Sequence, residues 1–359
     1  MGQAIEARSC GGPRADSGAS GKGQPLLKHI GALAWCAGIA LCVGLTVWSG
    51  IEDVGRAIAS VGWALALVVL VRVATVSVAG AGWWLLLPSP RRLRLGSATL
   101  LRFVREAVNT LLPLTQVGGD VVGARLATFY AVPGALAAAS VISDVLMQAA
   151  TQFLFAVLGL AILIALGADT TATRIAAIGL ALSAPLLVGF YVAQRRSGHR
   201  MLRFVLERAA GDGNWRVLDT VDAVYRSLHE IYARRSAVAA SGVVHMIGWL
   251  IGTAEVWIVL ACMGHPVSLA EALVIESLVQ AVRGAAFLIP SALGAQEAGL
   301  ILLCGLFAIP PDQALALSLI KRAADLAIGV PGLVALQILE GGRLALNYSS
   351  REQGKQSTP

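Results

Sequence analysis

Three clusters of polar residues interrupt otherwise apolar stretches, and each holds side chains able to bind a charged or hydrogen-bonding group. The first is Arg105-Glu106-x-x-Asn109, followed by Pro113-x-Thr115-Gln116-x-Gly118-Gly119-Asp120. A proline breaks a helix and frees backbone groups. Glycines admit a second backbone or a ligand at close range, and Asn, Thr and Gln can hydrogen-bond a polar head group. Arg105 and Asp120 either contact such a group or form an ion pair that staples the turn. The second cluster is Glu276-x-x-x-Gln280-x-x-Arg283, then Pro290 to Gln296-Glu297. Residues three and four apart share a helix face, so this row either pairs within its helix or forms one wall of a cavity. The third is Lys321-Arg322-x-x-Asp325. Its cations can bind an anionic head group or pair with Glu297 or Glu276. We expect pairing for Lys321 and a ligand for Arg322.

Two further acids, Asp144 and Glu255, stand alone in long apolar runs. Each is a candidate proton-coupling site, or the partner of a buried cation such as Arg72. His245 is expected to be a hydrogen-bonded packing residue. Trp83-Trp84, Trp249 and Trp257 are expected to anchor at a membrane interface.

The elements that carry these residues follow from composition. Of 359 residues, 57% are hydrophobic and only 14% charged, against roughly 25% charged in soluble domains. Mean hydropathy is +0.73. Much of the chain therefore has lipid as its solvent, where only helices and closed barrels satisfy their own backbone. Long Ala/Leu/Val runs without strand alternation select helices. The net charge of +7 raises nucleic-acid binding as a reading. The basic residues flank the apolar runs, however, as the positive-inside rule places them. The five cysteines are scattered, with no C-x-x-C, so neither a disulfide framework nor a metal site is expected.

Apolar runs at 30–48, 61–87, 135–168, 175–193, 237–262 and 313–338 are expected to cross the membrane. Residues 1–29 and 341–359 are polar tails, and 30–340 is one polytopic domain. Segment 195–235 is basic and carries Val217, Leu218, Val221, Val224, Tyr225, Leu228, Ile231 and Tyr232 at helical spacing, which predicts an amphipathic helix on the membrane surface. Lys and Arg number four in 1–29, three in 91–94, nine in 195–235 and three in 339–359, against one each in 49–60 and 167–174 and none in 263–268. The rich segments, both termini included, are expected on the cytoplasmic side. Segment 96–130 must then enter and leave by that face, and 269–309 by the other. The expected fold is all-α and integral to the membrane, with about six full spans and two re-entrant broken hairpins.

An internal repeat supports the hairpins. Pro113 and Pro133 are 20 apart, as are Pro290 and Pro310; Asp120 and Glu297 each follow the first proline by seven; Ala131-Val132-Pro133 matches Ala308-Ile309-Pro310. The halves, about 61–166 and 237–338, run from opposite faces and form an inverted repeat. Paired Pro/Gly-broken segments in such halves point to a transporter-like site near the midplane.

Pro113-x-x-Gln116-x-Gly118-Gly119-Asp120 and Pro290-Ser-Ala-Leu-Gly294-Ala-Gln296-Glu297-Ala-Gly299 resemble the paired motifs of the lysylphosphatidylglycerol synthase transmembrane-domain family, which is flippase-like. The run Lys321-Arg322-x-x-Asp325-Leu-x-x-Gly329-Val-Pro331, with Glu340-Gly-Gly-Arg343, looks most like its hopanoid-associated branch. The family's second motif has Gly-Gly after the proline; here Ser291-Ala292 is a less permissive pair for a tight turn. The resemblance implies a multi-pass protein of the bacterial cytoplasmic (inner) membrane that moves a lipid, with a link to hopanoid metabolism or transport. The synthases also carry a soluble aminoacyl-transfer domain. About 20 residues follow the last expected span here, so that activity is not expected to carry over.

The head-group residues expected on these grounds are Arg105, Asn109, Gln116, Gly118, Gly119, Asp120, Arg283, Gln296, Glu297, Arg322 and Asp325, with Asp144 or Glu255 for proton coupling. Membrane lipids and lipid-biosynthesis proteins are the expected partners; nucleic acid is not. Neither H-E-x-x-H, G-x-S-x-G nor a Walker A motif is present. No catalytic residue, metal or cofactor is therefore expected. An intramembrane lipid-modifying enzyme using buried acids and a non-transporting scaffold remain the alternatives.

Overall fold

The computed structural model describes residues 59, 61–88, 93–112, 117–167, 171–195, 198–200, 215–286 and 289–356. The expected tail 1–29 and span 30–48 lie outside them, as do Pro113, Thr115 and Gln116. Among the described residues there are ten α-helices and no strand. They are α1 (Ala64–Leu86), α2 (Leu95–Leu111), α3 (Gly118–Ala127), α4 (Gly134–Ala165), α5 (Thr171–Ala193), α6 (Trp215–Ala233), α7 (Arg235–Cys262), α8 (Leu269–Ala285), α9 (Ala295–Gly305) and α10 (Pro311–Gln356).

Five of these, α1, α4, α5, α7 and α10, are long and apolar enough to cross a bilayer. They coincide with five of the six expected spans. At ~1.5 Å per residue, the 23 residues of α1 measure about 35 Å, enough for a hydrocarbon core of ~30 Å. Helix α10 continues to Gln356, through most of the expected polar tail.

Both segments read as hairpins are broken helices. Helices α2 and α8 have 17 residues each, and their short partners α3 and α9 have 10 and 11. Each short arm is therefore about 15 Å long, half the hydrocarbon thickness. The breaks end alike. Ala131 and Ala308, in the matching Ala-[Val/Ile]-Pro triplets, both take left-handed backbone, with φ of 58° and 56°. That conformation stops a helix, costs about 1–2 kcal/mol for an L-residue, and is locked by the following X-Pro dipeptide, whose first residue avoids the α region.

The packing is reciprocal. Helix α1 runs against α7; α2 packs on α10 as α8 packs on α4; α10 meets α1 as α4 meets α7. Exchanging the two halves leaves this pattern unchanged, as a two-fold relation between them requires. Each hairpin has its own apolar core. One gathers Val68, Val256, Ile275, Leu300 and Leu317; the other gathers Trp83, Leu101, Leu126 and Val141, with Leu333 and Leu336 of α10 against it. Helix α6 lies outside both. Its apolar residues Leu228 and Ile231 are buried against Leu86 and Ala139, so at those positions the amphipathic stripe faces protein. Helix α5 is the most peripheral span, with Ile175, Ile178, Leu182 and Leu186 exposed.

Candidate functional site

The first half converges on Asp144 of α4, which is fully buried. Its Oδ2 lies 2.8 Å from Arg105 Nη1 and 3.4 Å from Arg102 Nη1. Gln148, one turn on, donates to the same oxygen at 2.9 Å, and His245 Nε2 of α7 is 3.0 Å from Oδ1. Arg102 also reaches Gln148 Oε1 at 2.8 Å and Glu106 at 3.3 Å. Arg105 turns its other nitrogens to Asp120, with Nη2 at 2.6 Å and Nε at 3.0 Å. The hairpin α2–α3 is thus stapled by an internal ion pair. Asn109 Oδ1 accepts the Gly119 amide at 2.7 Å. A side chain at Gly119 would run into the Arg105 carbonyl and Asn109, so glycine is required by close approach.

The second half converges on Glu255 and Glu276. Arg72 of α1 donates to Glu255 Oε2 at 2.7 Å and lies 3.4 Å from Asp325. Lys321 of α10, wholly buried, bridges Glu255 at 3.0 Å and Glu276 at 2.8 Å. Gln280 completes Glu276 at 2.7 Å. Buried charges survive in such settings only when paired, and cations and carboxylates alternate through both networks.

Glu297 stands apart. Its Oε2 accepts the Gly294 amide at 2.7 Å, capping α9, while Oε1 accepts Arg322 Nε at 2.6 Å and the Ser318 hydroxyl at 2.9 Å. Gln296 donates to the same Ser318 at 2.8 Å. The turn before α9 is tight: Ser291, Ala292 and Gly294 have φ of 54°, 48° and 79°. The Ser291-Ala292 pair adopts left-handed geometry all the same, at a cost the Gly-Gly version avoids. The Ser291 hydroxyl donates to the Thr110 carbonyl, which ties the tips of the two hairpins together.

Between the two networks lies a cavity of about 100 Å³. Arg72, Arg102, Glu106, His245, Glu255 and Glu276 give its charged and titratable lining, with Gln148, Trp249 and Gln280 beside them. Glu255 Oε1 and Arg102 Nε have no hydrogen-bond partner among the described residues. No group of three or more His, Cys, Asp or Glu there is placed to hold a metal ion.

The structure therefore brings Arg105, Asn109, Gly119, Asp120 and Asp144 into one site, with Gly118 opening α3. It gathers Gln296, Glu297 and Arg322 into a second group, and Glu255 and Asp325 into the Arg72 network. Gln116 is outside the described residues. Arg283 is half-buried and has no partner among the described residues; it does not reach Glu297, as Arg105 reaches Asp120. Lys321 pairs as expected, whereas Arg322 is the cation that meets Glu297.

Four contributors were not legible as site residues. His245 is a member of the Asp144 network. Trp83 is no interface anchor: it is fully buried, donates to Ser140 at 3.1 Å and lies 5.0 Å from the Arg105 guanidinium carbon. Trp249 lines the cavity, donates to Thr151 at 3.1 Å and stacks with Phe155. The only sequence signal for Gln148 was its position four residues after Asp144.

A second cavity, of about 730 Å³, opens where α5 ends against α6. Arg195 lies over the rings of Tyr191 and Tyr232, at 4.8 and 5.6 Å. His199 is 2.6 Å from Asp222 and stacks on Tyr225. Burial pushes the Tyr225 and Tyr232 hydroxyls above their ordinary values.

Among known proteins, the family described as "Lysylphosphatidylglycerol synthase TM region" matches residues 35–332 of this chain. No curated protein and no solved structure matches it.

Proposed function

From the premise that the chain belongs to the lysylphosphatidylglycerol synthase TM region family and is a multi-pass membrane protein, we propose that it moves a lipid across its membrane. The observation that carries this reading is the cavity between two buried ion networks, where the broken hairpin of each half packs on a span of the other. A polar head needs such a place, because hydrocarbon charges about 2.5–3.5 kcal/mol for one unpaired Arg or Asp at a helix centre. In this reading α2–α3 and α8–α9 are re-entrant hairpins, six spans frame them, and alternating access comes from rocking one half against the other. Arg105, Arg283 and Arg322, none of them in the lining of this cavity as described, reach the head as the halves rock; Asn109, Gln116 and Gln296 add hydrogen bonds; the apolar body stays in lipid. Arg283 is unpaired among the described residues, and Arg322 keeps Nη2 without a partner there, so both have donors to offer. The protein acts as a transporter, not as an enzyme, in the bacterial cytoplasmic membrane with both termini inside. Its cargo belongs to hopanoid metabolism, on the likeness of the 321–343 segment to that branch.

The test is lipid profiling of inner and outer membrane fractions, from cells with and without the protein. Arg105→Ala and Asp120→Ala variants of normal abundance run alongside. Mislocation of one lipid class, reproduced by the variants, supports translocation and names the cargo. Unchanged lipids in every fraction defeat it and favour the scaffold. Cysteine labelling of 91–94 and Arg125 from opposite faces would defeat the re-entrant topology.

A further inference from the structure

Asp144 and Glu255, the two acids read from sequence as coupling sites, are each contacted by two cations: Arg102 and Arg105 for the first, Arg72 and Lys321 for the second. The ionisable group between the networks that no cation contacts is His245. It is buried, lines the cavity, and rests its ring over Gly82 of α1.

Charge in the cavity lining does not balance. Arg72 and Arg102 face Glu106, Glu255 and Glu276, which leaves one negative charge when His245 is neutral. Behind this lining, Arg105 contacts Asp144 and Asp120, Lys321 contacts Glu255 and Glu276, and Asp325 contacts Arg72, so four cations stand against six acids in all, of which Glu106 and Asp120 are partly exposed, at 27% and 17%. Glu255 is 1% exposed, yet its Oε1 lacks any partner among the described residues. Acids outnumber cations around the cavity, so a further positive charge is favourable there. The carboxylates are spread around the walls and do not converge as metal ligands. The geometry therefore suits a charge delivered onto a side chain.

We propose that this cavity is a proton-binding site, with His245 as the acceptor. The ionised Asp144 takes the Nε2–H of neutral His245 at 3.0 Å, which fixes the tautomer and leaves Nδ1 as the basic nitrogen. Nδ1 has no partner among the described residues. It takes up one proton that enters the cavity from the bulk solution and becomes imidazolium; Nε2–H stays on Asp144, and the net charge of the lining rises from −1 to zero. The acids facing it favour the proton and the cations oppose it, five against four: Arg72 on α1; Arg102, Arg105 and Glu106 on α2; Asp144 on α4; Glu255 on α7 itself; Glu276 on α8; Lys321 and Asp325 on α10. The site exists whether or not a lipid moves. Its use as the coupling site rests on the translocation reading.

The experiment is charge displacement on a solid-supported membrane, using proteoliposomes of the full chain with no cargo added. A pH jump from about 7.5 to about 6 brackets the ordinary imidazole value of ~6.5. The wild type is expected to give a transient that His245→Gln, monodisperse in detergent, abolishes. A sodium jump at fixed pH is expected to give none. Glu106→Gln removes a partly exposed negative charge and leaves Arg102 its contacts with Asp144 and Gln148, so it should move the half-maximal pH downward; this variant decides the matter if His245→Gln does not fold. No pH transient, a transient undiminished in His245→Gln, an unmoved midpoint in Glu106→Gln, or a response to sodium alone would each overturn the proposal. A lipid-profiling failure beside a positive pH jump would remove translocation and leave the proton site standing.

Discussion

In the first half, the acid on the opening turn of the short arm, Asp120, reaches back to Arg105 on the long arm of its own hairpin. In the second, Glu297 occupies the same place, seven residues after its proline, and reaches forward to Arg322 on the next span. The backbones agree to within a residue in arm length and share a left-handed alanine at the same offset. The repeat thus preserves the chain path and lets the ionic partners differ. In one hairpin the short arm is stapled to its own long arm, which is tied in turn to α4 through Arg105–Asp144; in the other the short arm itself is clamped to α10.

The largest test of this contrast lies at the centre of the first half. Asp144→Ala leaves Arg102, Arg105 and His245 without their shared anion, and should cost about 3–5 kcal/mol, read as thermal unfolding in detergent. A loss below about 1 kcal/mol would mean that this half is not organised around Asp144. Next, Glu297→Ala should cost about 3 kcal/mol, since it strips a partly buried guanidinium, a hydroxyl and a helix cap together. Asp120→Ala should cost only about 1, because Arg105 retains Asp144. Equal losses would erase the difference between a stapled and a clamped hairpin.

A smaller effect of opposite sign is expected at the strained turn. Ser291→Gly and Ala292→Gly should each stabilise by about 0.5–1 kcal/mol, the left-handed penalty relieved less the extra chain entropy of glycine. Urea or thermal midpoints would measure it, and a loss of stability would show that those side chains matter more than their φ angles. Last, Arg283→Ala should change stability by no more than about 0.5 kcal/mol, while reproducing the lipid defect of the null cells. A large destabilisation would give Arg283 the structural role that Arg105 has in the other half.

The features legible in sequence were those with short-range causes. Apolar run length gave α1, α4, α5, α7 and α10, and Pro/Gly breaks gave both hairpins. The Ala-[Val/Ile]-Pro matches located turns that prove to share a backbone conformation. Which cation meets which acid was not legible, because it depends on helix rotation and on packing between distant segments. Arg72 and Glu255 are 183 residues apart. Trp83 was misread for the same reason: a tryptophan at the end of an apolar run looks alike whether it faces lipid head groups or, as here, Ser140 and Arg105. The Gly-Gly to Ser291-Ala292 exchange was visible, but propensity alone did not say that the tertiary contacts of the hairpin tips would impose the turn regardless.

The placement of Arg72 has a consequence for biogenesis. Both acids that contact it, Glu255 and Asp325, belong to the second half. At a synthesis rate of ~5–20 residues per second, the 183 residues between Arg72 and Glu255 take roughly 10–40 s to make. During that interval α1 carries a cation whose final partners do not yet exist. A nascent chain stalled before residue 255 presents an incompletely neutralised span to the insertion machinery and to membrane proteases. The arrival of α7 gives Arg72 the first of its two acids, since one helix brings Glu255 to Arg72 and His245 to Asp144.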